Sequence, residues 1–418
     1  MKTIFRRIKG NDAGFVLVVG LMFMAILSIL GSVAFRTTST DLNVSANYKI
    51  SEQSFFTAEA GLEEARGRLR GNSLHPIPDN HPTSTQWTSF IGTTAKAIPR
   101  GLQTGNAMHS IYAPIEADPG YTVKIVHQTD SSGNILYWGD SDGNGSNEPN
   151  TSTGKNIYLV TGYGASHQSN KTLQAEVTKL QLNIPAALYV GANTIIQGAS
   201  TYVVGSDQCG TSDLPGIVTT ESGGSVTLNG TSGSNIAGSG DQDGNGTADS
   251  PNIIYDGARL NIEEMIDSLK ASADFKYTVN SAVLSNTDAP GPGDGWGSPV
   301  LDTNPLLPST CSDRNIVYYD TGGTFVKFTG STKGCGILLV EGDLQAHGGF
   351  TWNGIIIATG SIIFSGGGAS NVTGAVLAGG SAMGDVIGGS VKIIYCSSVV
   401  QAQTENLPLR ILSWRKVD

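Results

Sequence analysis

The chain has 418 residues, enough for two or three domains. Its 55 glycines lack the three-residue period of collagen, and its frequent Ile, Val and Leu exclude disorder, so a chain only 14% charged and rich in Gly, Thr, Ser and Asn points to turn-dense β structure. A net charge of −10 excludes nucleic-acid binding through a general basic field and suits divalent cations.

Lys2, Arg6, Arg7 and Lys9, against the single acid Asp12, precede an uncharged run, FVLVVGLMFMAILSILGSVAF, at 15–35. As a helix this run is about 30 Å long, one hydrocarbon thickness. The cationic flank stays cytoplasmic, so everything after Arg36 faces outward. Three readings are open: a secretory signal cut near Ser32-Val33-Ala34, an uncut anchor, or a helix that continues beyond the membrane. The run exceeds the ~7–15 residues of a signal core. No proline occurs from Thr40 to Arg70, and Leu42, Ala46, Tyr48, Phe55, Ala58, Leu62, Ala65 and Leu69 form a helical stripe. Glu59, Glu63 and Glu64 alternate with Arg66, Arg68 and Arg70 on the other side. One helix of roughly 55 residues, on the order of 80 Å, is expected from Phe15.

The stretch NDAGFVLVVGLMFMAILSILGSVAFRTTSTDLNVSANYKISEQSFFTAEAGLEEARGRL resembles a type IV prepilin of the PilX-type minor pilin group. A basic leader ends in Gly14, Phe15 follows, and SFFTAEAGLEEA (54–65) matches the helix common in these pilins. The resemblance implies cleavage after Gly14 by prepilin peptidase and methylation of the Phe15 amine. Major pilins carry a glutamate at the fifth mature position, where it neutralises a neighbour's terminal amine in the apolar filament core. Here that position is Val19, as in PilX-type pilins and in the largest minor pseudopilin of type II secretion. Lack of the acid suits a rare subunit that primes the filament or sits at its tip.

From Gly120 the pattern turns to β: YTVKIVHQ alternates, with NILYWGD as its expected partner, and NIYLVTGYGASHQSNKTLQAEVTKLQL is expected to form two strands about a polar turn. With the helix, these imply an αβ roll ending near Leu182. Two loops are nearly identical, DSDGNGSNE at 140–148 and DQDGNGTAD at 241–249. Asp140, Asp142, Asn144, Ser146 and Glu148, and likewise Asp241, Asp243, Asn245, Thr247 and Asp249, supply the oxygen pattern of an EF-hand loop, with Gly145 or Gly246 at the sharp turn. Hard oxygen donors suit calcium. The twelfth position is Thr151 or Asn252 rather than glutamate, so the shell needs another donor, and flanking helices are absent.

In the carboxy-terminal half, GILLVEGDL at Gly336 recurs as GIIIATGSI at Gly354 and GAVLAGGSA at Gly374, with SVKIIYC at Ser390 as a closing rung and AALYVGANTIIQG at Ala186 as an earlier one. This repeat predicts stacked coils of a parallel β-helix or solenoid, with a Gly-rich antiparallel sandwich as the alternative. LNIEEMIDSLKASA has helical spacing and is read as one inserted helix near 260–273. Cys209, Cys311, Cys335 and Cys396 are expected to form two disulfides if exported, with three pairings open, or to stay as buried thiols in a reducing compartment. Asp343, His347 and Asp385 lie near repeat turns without a same-face cluster, Trp296 and Trp352 are expected to pack, and no catalytic motif occurs, so an enzyme is not expected.

The expected fold is α+β: a leader at 1–14, a transmembrane pilin helix at 15–70, a small αβ-roll-like β region at 71–182 and a Gly-rich β-solenoid at 183–418. The resemblance implies a minor pilin that is single-pass in the inner membrane with its amino terminus inside, then part of a pilus. Its partners would be other minor and major pilins through the helix, prepilin peptidase, and a tip adhesin or surface receptor. The alternatives are the large pseudopilin of type II secretion and a membrane-anchored carbohydrate-active β-helix protein.

Overall fold

The computed structural model describes residues 12–417 except 72–74, 93–108, 113–118, 142–146, 168, 181, 221–224, 256, 258, 286–295, 298, 301–309, 312–313, 367, 369, 381–383 and 405–406. The expected leader therefore lies almost wholly outside the described residues.

One uninterrupted helix, α1 (Asp12–Arg70), opens the chain. Its last turns bury Ala58, Leu62, Ala65 and Leu69. On its polar side Arg66 pairs with Glu63 at 2.6 Å, and Arg68 Nε donates to Glu64 at 2.7 Å. The earlier part of the stripe is not buried: Leu42 and Tyr48 are exposed, because no sheet lies opposite that stretch.

Seven strands follow: β1 (Thr88–Ile91), β2 (His109–Tyr112), β3 (Gly120–His127), β4 (Tyr137–Gly139), β5 (Glu148–Thr151), β6 (Lys155–Ser166) and β7 (Ser169–Lys179). The main sheet runs β2-β1-β3-β6-β7, with β4 and β5 attached at the start of β6. The hairpin β6–β7 forms as its alternation predicts. The expected pairing of YTVKIVHQ with NILYWGD forms only at its tip, where Leu136 N donates to Gln128 O at 2.9 Å and Thr129 bridges Ile135; β3 itself lies between β1 and β6, and β4 pairs with β6 instead. The buried end of α1 packs across β3, β6 and β7 around Val123, Val160, Leu173 and Val177. Glycines allow the close approach. A Cβ at Gly164 would lie 2.2 Å from Ser54 O, and one at Gly162 would lie 2.8 Å from Ala58 O.

A second unit is a curled, wholly parallel sheet. Its strands are β8 (Leu188–Val190), β9 (Thr194–Gln197), β10 (Tyr202–Val204), β11 (Ile217–Thr219), β12 (Val226–Asn229), β13 (Ile236–Ala237) and β14 (Ile253–Ile254). After helix α2 (Ile262–Lys270) come β15 (Phe275–Thr278), β16 (Ala282–Leu284), the separate pair β17 (Pro299–Val300) and β18 (Thr310–Cys311), and then β19 (Asn315–Thr329), β20 (Lys333–His347), β21 (Thr351–Ala358), β22 (Ile362–Ser365), β23 (Asn371–Ala378), β24 (Asp385–Ile387) and β25 (Lys392–Ile394). The repeat glycines stand in register, Gly336 opposite Gly354 and Gly354 opposite Gly374, so the repeat strands lie side by side in parallel. Trp296, Tyr319, Phe328, Phe350, Trp352 and Phe364 fill part of the interior, and the two tryptophans pack as expected.

The order of coils does not follow the chain. β23 pairs with β8, β24 with β9 and β25 with β10, so the last coil of the carboxy-terminal half stacks on the first coil of the amino-terminal half. The chain runs outward from this seam through β14 and crosses back by α2. It then starts again at β15 and returns to the seam. Asn261 caps α2 by accepting from Glu264 N at 3.0 Å, and the helix buries Ile262, Ile266 and Leu269.

The boundary expected at 183–418 needs correction at its far end. After helix α3 (Ser397–Thr404), strand β26 (Leu409–Val417) returns to the first sheet and pairs antiparallel with β7, burying Leu409 in the α1 core. A terminal strand pairing across more than 200 residues leaves no local periodic signal.

Candidate functional site

The uncharged part of α1 meets solvent on all sides: Phe15, Leu17, Leu21, Phe23, Leu27, Leu30 and Phe35 are exposed. This is the one helix among the described residues long and apolar enough to cross a membrane. Val19, half-buried, occupies the fifth position after Gly14, and the first charge beyond the run is Arg36. Of Gly14 only the helical backbone is described. The apolar stem and the buried end of α1 are one unbroken helix, so the stem continues directly into the segment on which the sheet packs.

The second acidic loop joins β13 to β14 in the last coil of one arm. Oxygens of Asp241, Asp243 and Asp249 lie within 4.8 Å of one another. The loop is closed by its own backbone: Asp241 accepts from Gly246 N at 2.7 Å and Asn245 N at 3.1 Å, and Asp249 accepts from Gln242 N at 2.6 Å. The Gly246 amide bond, with those of Asn245 and Gly244, holds the Asp241 carboxyl below its usual range. Asn245 accepts from Thr247 through both N–H and hydroxyl, so Thr247 points at Asn245 within the loop. Gly244 and Gly246 take left-handed φ of +71° and +83°. Three carboxylates in one tight loop make a donor set that fits a hard divalent cation, while the Asn245 amide oxygen is taken up by Thr247.

The twelfth position has a structural task instead. Asn252 is fully buried. Its amide oxygen accepts from Gly216 N (2.9 Å) and Gly240 N (3.1 Å), and its amide nitrogen donates to Gly240 O (2.8 Å) and Asp249 O (3.2 Å). It fastens the base of the loop to the sheet and cannot turn to an ion. Thr151, its counterpart in the first loop, likewise turns its hydroxyl inward, within bonding distance of Thr153 O (2.8 Å) and Tyr137 O (3.0 Å). In the first loop Asp142, Asn144 and Ser146 lie outside the described residues; Asp140 is exposed, and Glu148 accepts from Ser141 N at 3.2 Å.

All four cysteines are paired. Cys209–Cys396 joins the two arms across the seam, and Cys311–Cys335 ties the segment before β19 to β20. Of the repeat-turn residues, Asp343 accepts from Ser361 N at 2.7 Å, and His347 lies 3.0 Å from the Ser365 hydroxyl, where burial and Lys327 hold its basicity down. Asp385 is buried in the core.

A buried polar cluster was missed by sequence reasoning. His127 on β3 is stacked on Trp87. Its Nδ1 is 2.6 Å from Ser84 O and its Nε2 is 2.7 Å from Asp79, which also accepts from Tyr158 at 2.9 Å. Burial pushes the Asp79 carboxyl up, and the bonds from His127 and Tyr158 more than offset this, leaving it below its usual range. The cluster fastens segment 79–87 over the sheet. Its members are spread over 79 positions, so no spacing announces it.

Residues 13–63 match the PilX N-terminal family, which bears out the resemblance over the amino-terminal segment. A comparison with curated proteins gives no match. The crystal structure of the competence-associated pilin ComZ from Thermus thermophilus aligns over 88% of this chain and 97% of its own at 11% identity, with a TM-score of 0.19. A likeness at that score carries nothing about the fold.

Proposed function

We propose, from the premise of a PilX-type amino terminus, that this chain is a minor pilin of a type IV pilus, held in the inner membrane before assembly and displaying its curled sheet outward afterwards. The observation that carries this is α1. Its uncharged stem is exposed along its length, and the same helix, without a break, forms the core of the first sheet. An unbroken helix of this kind links insertion and extraction to the head. Val19 in place of an acid supports a subunit that primes assembly or sits at the tip, contacting other pilins through α1 and a surface or adhesin through the β domain.

The curled sheet is read as a parallel β-solenoid. Calcium is its proposed ligand: Asp241, Asp243 and Asp249 would hold it, with Asp140 and Glu148 contributing to the first loop. The ion supplies charge neutralisation, which would stiffen the end coil that Asn252 already anchors.

The test is mass spectrometry of the amino-terminal peptide from membrane and pilus fractions. A chain beginning at N-methylated Phe15 is expected. A chain beginning at Met1 or Phe35 removes the pilin reading. The pseudopilin of type II secretion is favoured by the same Val19; deletion separates the two, since lost piliation supports the pilin and retained exoproteins the pseudopilin.

A further inference from the structure

The inward row of the curled sheet that passes through β24 holds one residue that does not belong in oil. Val326 stands opposite Leu344, and Leu344 opposite Ile362. Asp385 follows one position before the Ile363–Val386 pair, then stands opposite Thr194, and Thr194 opposite Val226. All six are buried. The apolar row is interrupted at two adjacent positions, and those positions lie on either side of the seam: Asp385 ends the carboxy-terminal arm and Thr194 begins the amino-terminal one.

Few hydrogen bonds reach the buried Asp385 carboxyl. One oxygen accepts from Ile362 N at 2.7 Å. The other accepts from the Thr194 hydroxyl at 3.3 Å, a bond that competes with Ala192 O, at 3.0 Å, for the same proton. An ionised carboxylate there would have only the Ile362 amide and a share of one hydroxyl proton to offset its charge, and the neutral carboxyl needs less. No cation faces the group: among the described residues the ionisable side chain that acts on it is Asp343 of β20, another acid, while β22 presents Ile362 and β9 presents Thr194. An ionised Asp385 would be a buried charge without a counter-ion.

We propose that Asp385 is a proton-operated latch on the seam: with its proton it closes β24 onto β9, and without it that pairing loosens while Cys209–Cys396 keeps the arms tethered. The inference rests on the curled sheet alone and stands whether or not the chain is a pilin. Burial pushes the carboxyl up to about 7 from an ordinary 3.8 against the Ile362 and Thr194 bonds, and the Asp343 charge adds to the rise. A raised acid stabilises the closed form fully below the ordinary carboxylate range, and that stability is lost as pH rises through about 7. The latch is therefore shut in mildly acidic surroundings and weak in alkaline ones.

Hydrogen–deuterium exchange of the full-length, disulfide-bonded chain in detergent tests this, with rates corrected for intrinsic chemical exchange. Between pH 6.0 and 8.5, protection of peptides spanning 193–198 and 384–388 is expected to fall about tenfold, while that of 351–358 holds. Asp385→Asn abolishes the fall. Asp343→Asn, which removes the facing charge and keeps an acceptor for Ser361, moves its midpoint to lower pH. A flat wild-type profile overturns the latch, as does a fall shared equally by 351–358, an unmoved midpoint in Asp343→Asn, or an undiminished fall in Asp385→Asn. Should Asp385→Asn fail to fold, the wild-type profile and the Asp343→Asn midpoint decide alone.

Discussion

Gly354 has φ of +139°, and a Cβ there would lie 1.9 Å from Gly336 O, while Gly336 and Gly374 stand in the same position one coil away on either side. Backbone stacks on backbone at this corner, so a methyl group has nowhere to go. Gly354→Ala is expected to cost about 3 kcal/mol or more. Gly323→Ala, at φ +75° but with open space around it, is expected to cost only about 1 kcal/mol. Urea unfolding of the two variants measures the difference, and equal costs would contradict the stacked-corner account. The acidic loop allows a second test at this scale. Chelator is expected to lower the melting temperature of the wild type. Asp241→Ala together with Asp140→Ala should abolish that response; an undiminished response would mean that the ion binds elsewhere.

Among the elements, the seam carries the most unusual connection. β24 and β9, or β25 and β10, are joined by hydrogen bonds between residues nearly 200 apart in the chain, and Cys209–Cys396, at a sequence separation of 187, is the covalent counterpart of those pairings. Closing so long a loop removes more unfolded-state entropy than closing the 24-residue separation of Cys311–Cys335. In the chain-entropy view the first disulfide contributes about 5 kcal/mol and the second about 3.5 kcal/mol. Replacing each pair by serines and measuring urea midpoints tests the order, and a larger loss from the short loop would show that local packing outweighs chain entropy here.

On the scale of the whole molecule, the curled sheet is fixed to the first sheet at its middle. The chain enters at β8 and leaves from β25, both on the seam, and β26 carries it back to β7. Between the two units Arg410 pairs with Glu264 of α2 at 2.7 Å, reaches Ser268 at 3.3 Å and lies 4.8 Å from the Trp138 ring. Arg410→Ala should leave the two cores intact and loosen their contact. Proteolysis within 182–186 and 407–408 is expected to accelerate several-fold, and unchanged cleavage would mean that the two strand connections alone hold the units together.

The sequence by itself determined the features that local chemistry enforces. An uncharged run flanked by cations, continued by a four-and-three apolar stripe, fixes a membrane-length helix with a buried end, and the family match falls on that segment. Glycine-led repeats fix parallel stacking, because only glycine fits where coils touch. The order of the coils was decided only in three dimensions, since a seam between β23 and β8 depends on contacts that no window of sequence contains. The same holds for the disulfide pairing, the return of β26, the His127–Asp79 cluster and the inward turn of Asn252. Asp385 belongs with them: its sequence shows one acid near a turn, and the curled sheet places it in an otherwise apolar row beside Thr194.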